Sequence, residues 1–495
     1  MPNNNGSSEY KGIFKGTAVF GGTQLVQIVV DLLKSKAVAL LIGSVGMGIN
    51  TLYLSSMQII VVLSGMGLKS SSVKDIAEAT TTNDNFIIGR KISVLKRCFQ
   101  LTCVLGLVIT LMSSPLLSKT SFGDTSHILQ YSLLSLFVIF TLLGEQCTAI
   151  LQGLHLIKKT AMSTLLSCVA GLITSVFFFY VWGIEGIVYN IITASFVSFS
   201  IRYYYVWKLD YPNIKVGFKE SILESKATYM LGFAMVISTL IGTVVNFSIN
   251  SFISYFGGFS EVGYYKAGLI LTTESVSLVF SSMAADYYPK LVVASKDIGK
   301  MRELVNNQGE IVTLISLPVL SSLMLFAPLA IKILFTPEFL VLNNFVKLLC
   351  VGVLFQAISY SIGYISFAKG DKKTFFLLEG LWGSLYRLFL YCLGYYLGGL
   401  LGLAISYIVG FSTYLLIVLY VTKRLYGFSM NKEYLRVVII SLTLIFSFLL
   451  SLFALDGLWY YTVGLSVYLL IIVFSYRELN RRLDFGALVR KLSKR

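Results

Sequence analysis

Two histidines, His127 and His155, and six cysteines without a single CxxC pair give this sequence no metal-ligand spacing. No GxxxxGK[ST] stretch is present, which excludes ATP hydrolysis by a P-loop. Charge is scarce: 13% of the 495 residues are charged, where a soluble domain carries about 25%. No stretch long enough to form a soluble domain is free of apolar runs. The polar segment Met1–Ser8 shows neither the charged region nor the cleavage site of a removable signal peptide. What remains is hydrophobic, 56% of the chain with 14% aromatic, and this predicts an all-α polytopic membrane protein. The cysteines (Cys98, Cys103, Cys147, Cys168, Cys350, Cys392) sit in or beside apolar segments and read as small hydrophobes.

Apolar runs long enough to span a bilayer number about fourteen. They cover 14–42, 48–68, 94–118, 128–150, 161–182, 184–207, 227–256, 262–286, 308–334, 339–368, 375–397, 399–421, 437–454 and 458–476. Most of the 40 basic residues fall in every second loop, among them Lys69, Arg90, Lys158, Arg202, Lys290, Lys372 and Arg436, and at both termini. The positive-inside rule makes that side cytoplasmic and puts both termini there. A net charge of +16 would suit nucleic acid, but its confinement to these short loops points to membrane topology and anionic headgroups instead. The opposite loops are short, nearly uncharged and glycine-rich: Gly43–Gly48, Gly183–Gly186, Gly257–Glu261, Gly398-Gly399 and Asp456-Gly457. They leave no mass outside the bilayer for an enzyme site, and none is expected.

The chain repeats itself at an offset of about 215 residues, in Gly43/Gly257, Lys158-Lys-Thr160/Lys372-Lys-Thr374, Gly183/Gly399 and Lys208/Lys423. A six-helix unit inserts the same way up in both copies. Two lobes, 1–215 and 216–436, are therefore expected around an axis along the membrane normal, with a substrate site between them. Residues 437–476 would add two helices as an appendage, and 477–495 a basic cytoplasmic tail.

Charges inside apolar runs mark candidate sites, because each costs about 2.5–3.5 kcal/mol at the bilayer centre. Asp31 lies roughly 16 Å from the glycine end of the first run, near the midplane. Lys34 and Lys36 follow it. Asp31 and Lys34, three residues apart, share a helix face and form either a cavity wall or a structural ion pair. The repeat sets Asn246 opposite Asp31, with Asn250 one turn on. Glu274 and Arg387 also fall near the midplane and are expected to pair across lobes. Lys34, Lys36, Asn246, Asn250 and Arg387 are therefore assigned to an anionic substrate, with Lys34 and Arg387 on its phosphates. Asp31 and Glu274 are assigned to proton or sodium coupling. Lys119, Lys332 and Lys347 read as snorkelling cations, as does Lys266. Glu145 is either an interfacial anchor or a cavity residue. Pro318 and Pro328 are expected to kink the ninth helix.

Four patterns carry a family resemblance: Leu40-Leu-Ile-Gly-Ser-Val-Gly-Met-Gly48, Ile150-Leu-Gln-Gly-Leu-His-Leu-Ile-Lys-Lys159, Tyr287-Tyr-Pro-Lys290 and Ala368-Lys-Gly-Asp-Lys-Lys373. Across nearly its whole length the chain resembles the polysaccharide exporters of the MATE-like (MOP) superfamily, most closely the O-antigen flippases. The resemblance implies a cofactor-free transporter, not an enzyme, in the bacterial inner membrane. Its substrate would be an undecaprenyl-diphosphate-linked oligosaccharide, an O-antigen or capsule repeat unit, moved by alternating access with possible H+ or Na+ coupling. Membrane lipids and other polysaccharide-assembly proteins would be its partners. The multidrug branch, with an acidic residue in its first helix that Asp31 could match, is the alternative.

Overall fold

The computed structural model describes residues 5–483 apart from 213, 218, 219, 222, 223 and 225. Lys219 and the tail beyond Leu483, with Arg490, Lys491, Lys494 and Arg495, lie outside the described residues. Every element among the described residues is helical. Among the described residues nine helical stretches are long and apolar enough to cross a membrane. Two of these, 157–207 and 372–426, run to 51 and 55 residues, more than twice what one crossing needs. The chain is a multi-pass membrane protein. It forms two compact units, Met1–Gly263 and Tyr264–Arg495.

The first unit contains α1 (Asn5–Gly65), α2 (Leu68–Thr80), α3 (Asn85–Phe122), α4 (Ile128–Leu133), α5 (Ser135–Gly153), α6 (Ile157–Trp182), α7 (Gly186–Trp207) and α8 (Lys226–Gly257). The outer loop expected over Gly43–Gly48 shrinks to one residue: Gly43 alone leaves the helical region, at φ 65° and ψ −169°, and divides α1 in two. Gly48 serves a different purpose. A Cβ there would sit 1.8 Å from the Phe259 carbonyl oxygen, so the glycine permits backbone-to-backbone packing. Along α3, Gly106, Thr110, Ser114 and Ser118 recur every fourth residue and are buried, a small-residue stripe that lets helices approach closely. The turn after α3 is closed by Ser118 Oγ, which donates to the Asp124 carbonyl at 2.7 Å. There His127 stacks on Phe122, centroids 3.9 Å apart, and shares a 2.7 Å hydrogen bond with Tyr53.

Helix α2 was not expected. Its segment reads as a basic loop, yet Leu68, Ile76 and Ala79 bury one face while Lys69 and Lys74 stay on the other. It packs on α3, α5 and α8. At the same basic end, Arg90 on α3 holds both Glu220 and Glu224 at 2.5 Å.

The second unit continues through α9 (Phe259–Leu269, which begins in the first unit), α10 (Ser275–Ala294), α11 (Ile298–Leu325), α12 (Ala327–Leu334), α13 (Asn343–Ala368), α14 (Lys372–Phe375), α15 (Gly383–Tyr426), α16 (Lys432–Ala454) and α17 (Gly457–Leu483). Two π-helical turns, Ile270–Glu274 and Phe376–Trp382, precede α10 and α15. Gly398 and Gly399 fold α15 back on itself. The kinked ninth helix divides instead into two. Pro318 sits inside an unbroken α11, and Pro328 lies in the first turn of α12, where its missing N–H costs nothing.

The last two helices pack firmly on α11. Arg482 bonds Glu310 through Nε and holds Glu478 at 2.5 Å through Nη1, while Arg436 reaches Glu478 at 3.1 Å. Lys347 does not snorkel. It is 3% exposed, donates to the Leu452 carbonyl at 3.4 Å at the end of α16, and lies over Tyr460.

Candidate functional site

In the first unit α1 and α7 pack on α6, and α5 closes against α7. These helices enclose a cavity of about 310 Å³. Asp31 and Lys34 line it together, as their spacing on one face of α1 requires. Gly171 opposite has no side chain: its Cβ would lie 4.0 Å from Lys34 Nζ. Asn50, Asn190 and Ser195 add hydrogen-bonding groups, and Cys168 a thiol.

A second cation faces this cavity. Arg202, counted from sequence with the basic loop after the sixth apolar run, belongs to α7, which continues to Trp207. Its long side chain points into the cavity from near the helix end. Its path crosses α5 at Gly144, where a Cβ would come within 2.9 Å of Nη1. Glu145 lies within electrostatic reach of Arg202 and is 3.9 Å from Lys69 on α2. Charged groups thus run from the basic end of the unit to the cavity.

The second unit contains Arg387 in a smaller cavity of about 130 Å³, inside the hairpin of α15, with Tyr386, Tyr391, Phe411 and Tyr414. Arg387 Nε and Tyr391 Oη are buried there without a hydrogen-bond partner among the described residues. A neighbouring cavity of about 400 Å³ shares Phe411 and Tyr414 and continues along α13 past Gln356, Tyr360 and Tyr364.

Glu274 was expected to pair with Arg387. It pairs with Lys266 instead, at 2.7 Å, so Lys266 is not a snorkelling cation. Eight residues of regular α-helix would set these two side chains about 80° apart around the axis. The intervening π turn, which takes more than about 3.6 residues per turn, rotates them back into line. Lys36 is half-buried, Asn246 exposed and Asn250 buried. These three, with Glu274, stand outside the linings of the three cavities. Arg202, Asn50 and Asn190 are the functional candidates that sequence reasoning missed. For Asn50 and Asn190 the signal was available, since each is a polar residue inside an apolar run.

Residues 38–344 match the family model described as polysaccharide biosynthesis protein. A curated Shigella flexneri protein, to which O-antigen transport is ascribed, is 24% identical over 306 residues, 59% of this chain and 70% of the relative. Among solved structures, an inward-facing multidrug-resistance MATE transporter of the MOP superfamily superposes with a TM-score of 0.68 at 16% identity, over 81% of this chain and 96% of that one. The lipid II flippase MurJ, in an inward closed conformation, gives 0.63 at 16% identity, over 95% of this chain and all of the other. At that identity the likeness is one of fold.

Proposed function

The chain belongs to the polysaccharide biosynthesis protein family, and from that premise we propose that it is a flippase for an undecaprenyl-diphosphate-linked oligosaccharide. The cargo is an O-antigen, capsule or exopolysaccharide repeat unit, carried across the bacterial inner membrane by alternating access. The name of the Shigella relative and the fold shared with a lipid II flippase support this reading. One observation carries it: Lys34 and Arg202 line one cavity inside a membrane unit, opposed there by Asp31.

Two cations in a surround poor in water replace the hydration of a diphosphate, each charge-assisted hydrogen bond contributing roughly 1.5–3 kcal/mol. Lys34, Arg202 and Asp31 together carry a single positive charge. A proton or sodium ion on Asp31 would raise this to two, matching the diphosphate. Coupling at Asp31 follows from that balance, and Glu274, held by Lys266, is the second coupling group. Arg387 binds substrate in the second unit. Lys36, Asn246 and Asn250 are secondary contacts, placed on α1 and α8, which pack together. The sequence repeat supports two six-helix lobes, 1–215 and 216–436, the apolar runs support fourteen crossings, and the basic loops support both termini in the cytoplasm. The work done is transport rather than glycan synthesis.

Proteoliposomes holding the full-length protein and a fluorescent undecaprenyl-diphosphate oligosaccharide test this. Lipid is expected to reach the opposite leaflet, about tenfold more slowly for Lys34→Gln and Arg202→Gln. Wild-type rates in both variants would overturn the site. The multidrug alternative requires organic cations to enter a cavity already lined by two cations. Export of ethidium with no movement of the glycolipid would establish it.

A further inference from the structure

The chambers of the second unit differ in chemistry from the cavity of the first. The larger is walled by Tyr360, Tyr364, Phe367 and Phe375, with Gln356 beside them. Its volume of about 400 Å³ and its aromatic lining with few polar groups are those of a small-molecule pocket. It adjoins the smaller chamber at Phe411 and Tyr414, and in that chamber Arg387 Nε and Tyr391 Oη are buried with no partner among the described residues. Gly383, directly after the π turn Phe376–Trp382, and Gly410 line the small chamber with no side chain.

Arg387 Nε, buried and without a hydrogen-bond partner among the described residues, offers this chamber a charged donor, and a negatively charged group is its strongest acceptor. The aromatic walls call for a flat, partly apolar body next to it. A diphosphate has the charge without the body. A pyranose bearing a carboxylate has both, since its C–H faces stack on aromatic rings and its hydroxyl edge meets tyrosine and glutamine. We propose that the second unit binds one sugar ring of the glycan, stacked on the tyrosine walls, with a carboxylate of that sugar on Arg387. The cargo is therefore a glycan containing a uronic acid. This rests on the flippase reading for its source of glycan, but not on the cation pair of the first unit.

The test uses the full-length protein in nanodiscs with three probes: a hyaluronan tetrasaccharide, neutral maltotetraose, and farnesyl diphosphate. Binding of hyaluronan is expected to weaken about tenfold in Arg387→Gln and less in Arg387→Lys, which keeps the charge without the planar fork. Maltotetraose binding should be unchanged by either, and both sugars should weaken in Tyr414→Ala. Farnesyl diphosphate should respond to Arg202→Gln and be indifferent to Arg387→Gln. Equal affinity of the wild type for the two sugars, or hyaluronan binding untouched by Arg387→Gln, would overturn the proposal. So would farnesyl diphosphate lost with Arg387, which would make it a phosphate ligand. If farnesyl diphosphate binds through Arg202 while neither sugar binds at all, this inference falls and the flippase reading stands.

Discussion

The reach of Arg202 depends on a residue that contributes no side chain. Gly144 lets the guanidinium pass α5, so Gly144→Val is expected to push it out of the cavity. Flipping should fall about tenfold with little change in thermal stability, as in Arg202→Gln, and a rate near wild type would show another route for the guanidinium. For Asp31, Asp31→Asn is expected to abolish the dependence of transport on pH or sodium, and a retained dependence would remove Asp31 from coupling. His127 gives a separate test. Burial holds its imidazole below the ordinary value of about 6.5, and Asp124 offsets this only in part. The folded protein then binds fewer protons than the unfolded chain as the pH drops below that value. The stabilisation is complete above it and is lost as the pH falls through the folded pKa. Melting measured from pH 7.5 to 5 should therefore decline in the wild type and decline less in His127→Phe. Asp31 and Lys34 were legible because a charge in an apolar run needs a reason. Arg202 was not, because a cation near a helix end looks the same in sequence whether it points to water or to a cavity.

Among elements, the glycine turns were easiest to read. Positive-φ glycines sit where the sequence placed them, at Gly43, Gly183, Gly258, Gly399 and Gly457. Helix α2 was hidden because its buried face is only a few residues wide and its exposed face carries the lysines that topology rules assign to loops. The pairing of Glu274 with Lys266 was hidden for a geometric reason, since a π turn changes which residues share a face and periodicity assumes a regular helix. The attachment of α16 and α17 was also invisible, as it depends on ion pairs between residues far apart in sequence. Arg482→Met should leave Glu310 unpaired and Glu478 held by Arg436 alone, and cost about 3–5 kcal/mol, read by denaturation in mixed micelles. Adding Glu310→Gln should recover part of that loss. An unchanged stability in the single variant would show the network to be incidental.

For the molecule as a whole, charge and hydropathy are the strongest signals, and they lead to the multi-pass helical fold. The proposed orientation is checked by fusions: alkaline phosphatase should be inactive after residue 483 and after Lys159, and active when inserted at Gly183. Activity at either of the first two sites would reverse the topology. The ion network described above also bears on how the protein is made. Glu310 and its partner Arg482 are 172 residues apart, so α11 enters the bilayer long before the cation that neutralises its carboxylate has been translated. At about 5–20 residues per second that wait lasts roughly 10–30 s. A ribosome that stops early, or a nonsense codon after Ala454, leaves a buried carboxylate exposed to membrane quality control. Such truncated chains should be degraded quickly, and Glu310→Gln should prolong their lifetime in a pulse-chase. Arg482 thereby ties the stability of α11 in a growing chain to the arrival of α17.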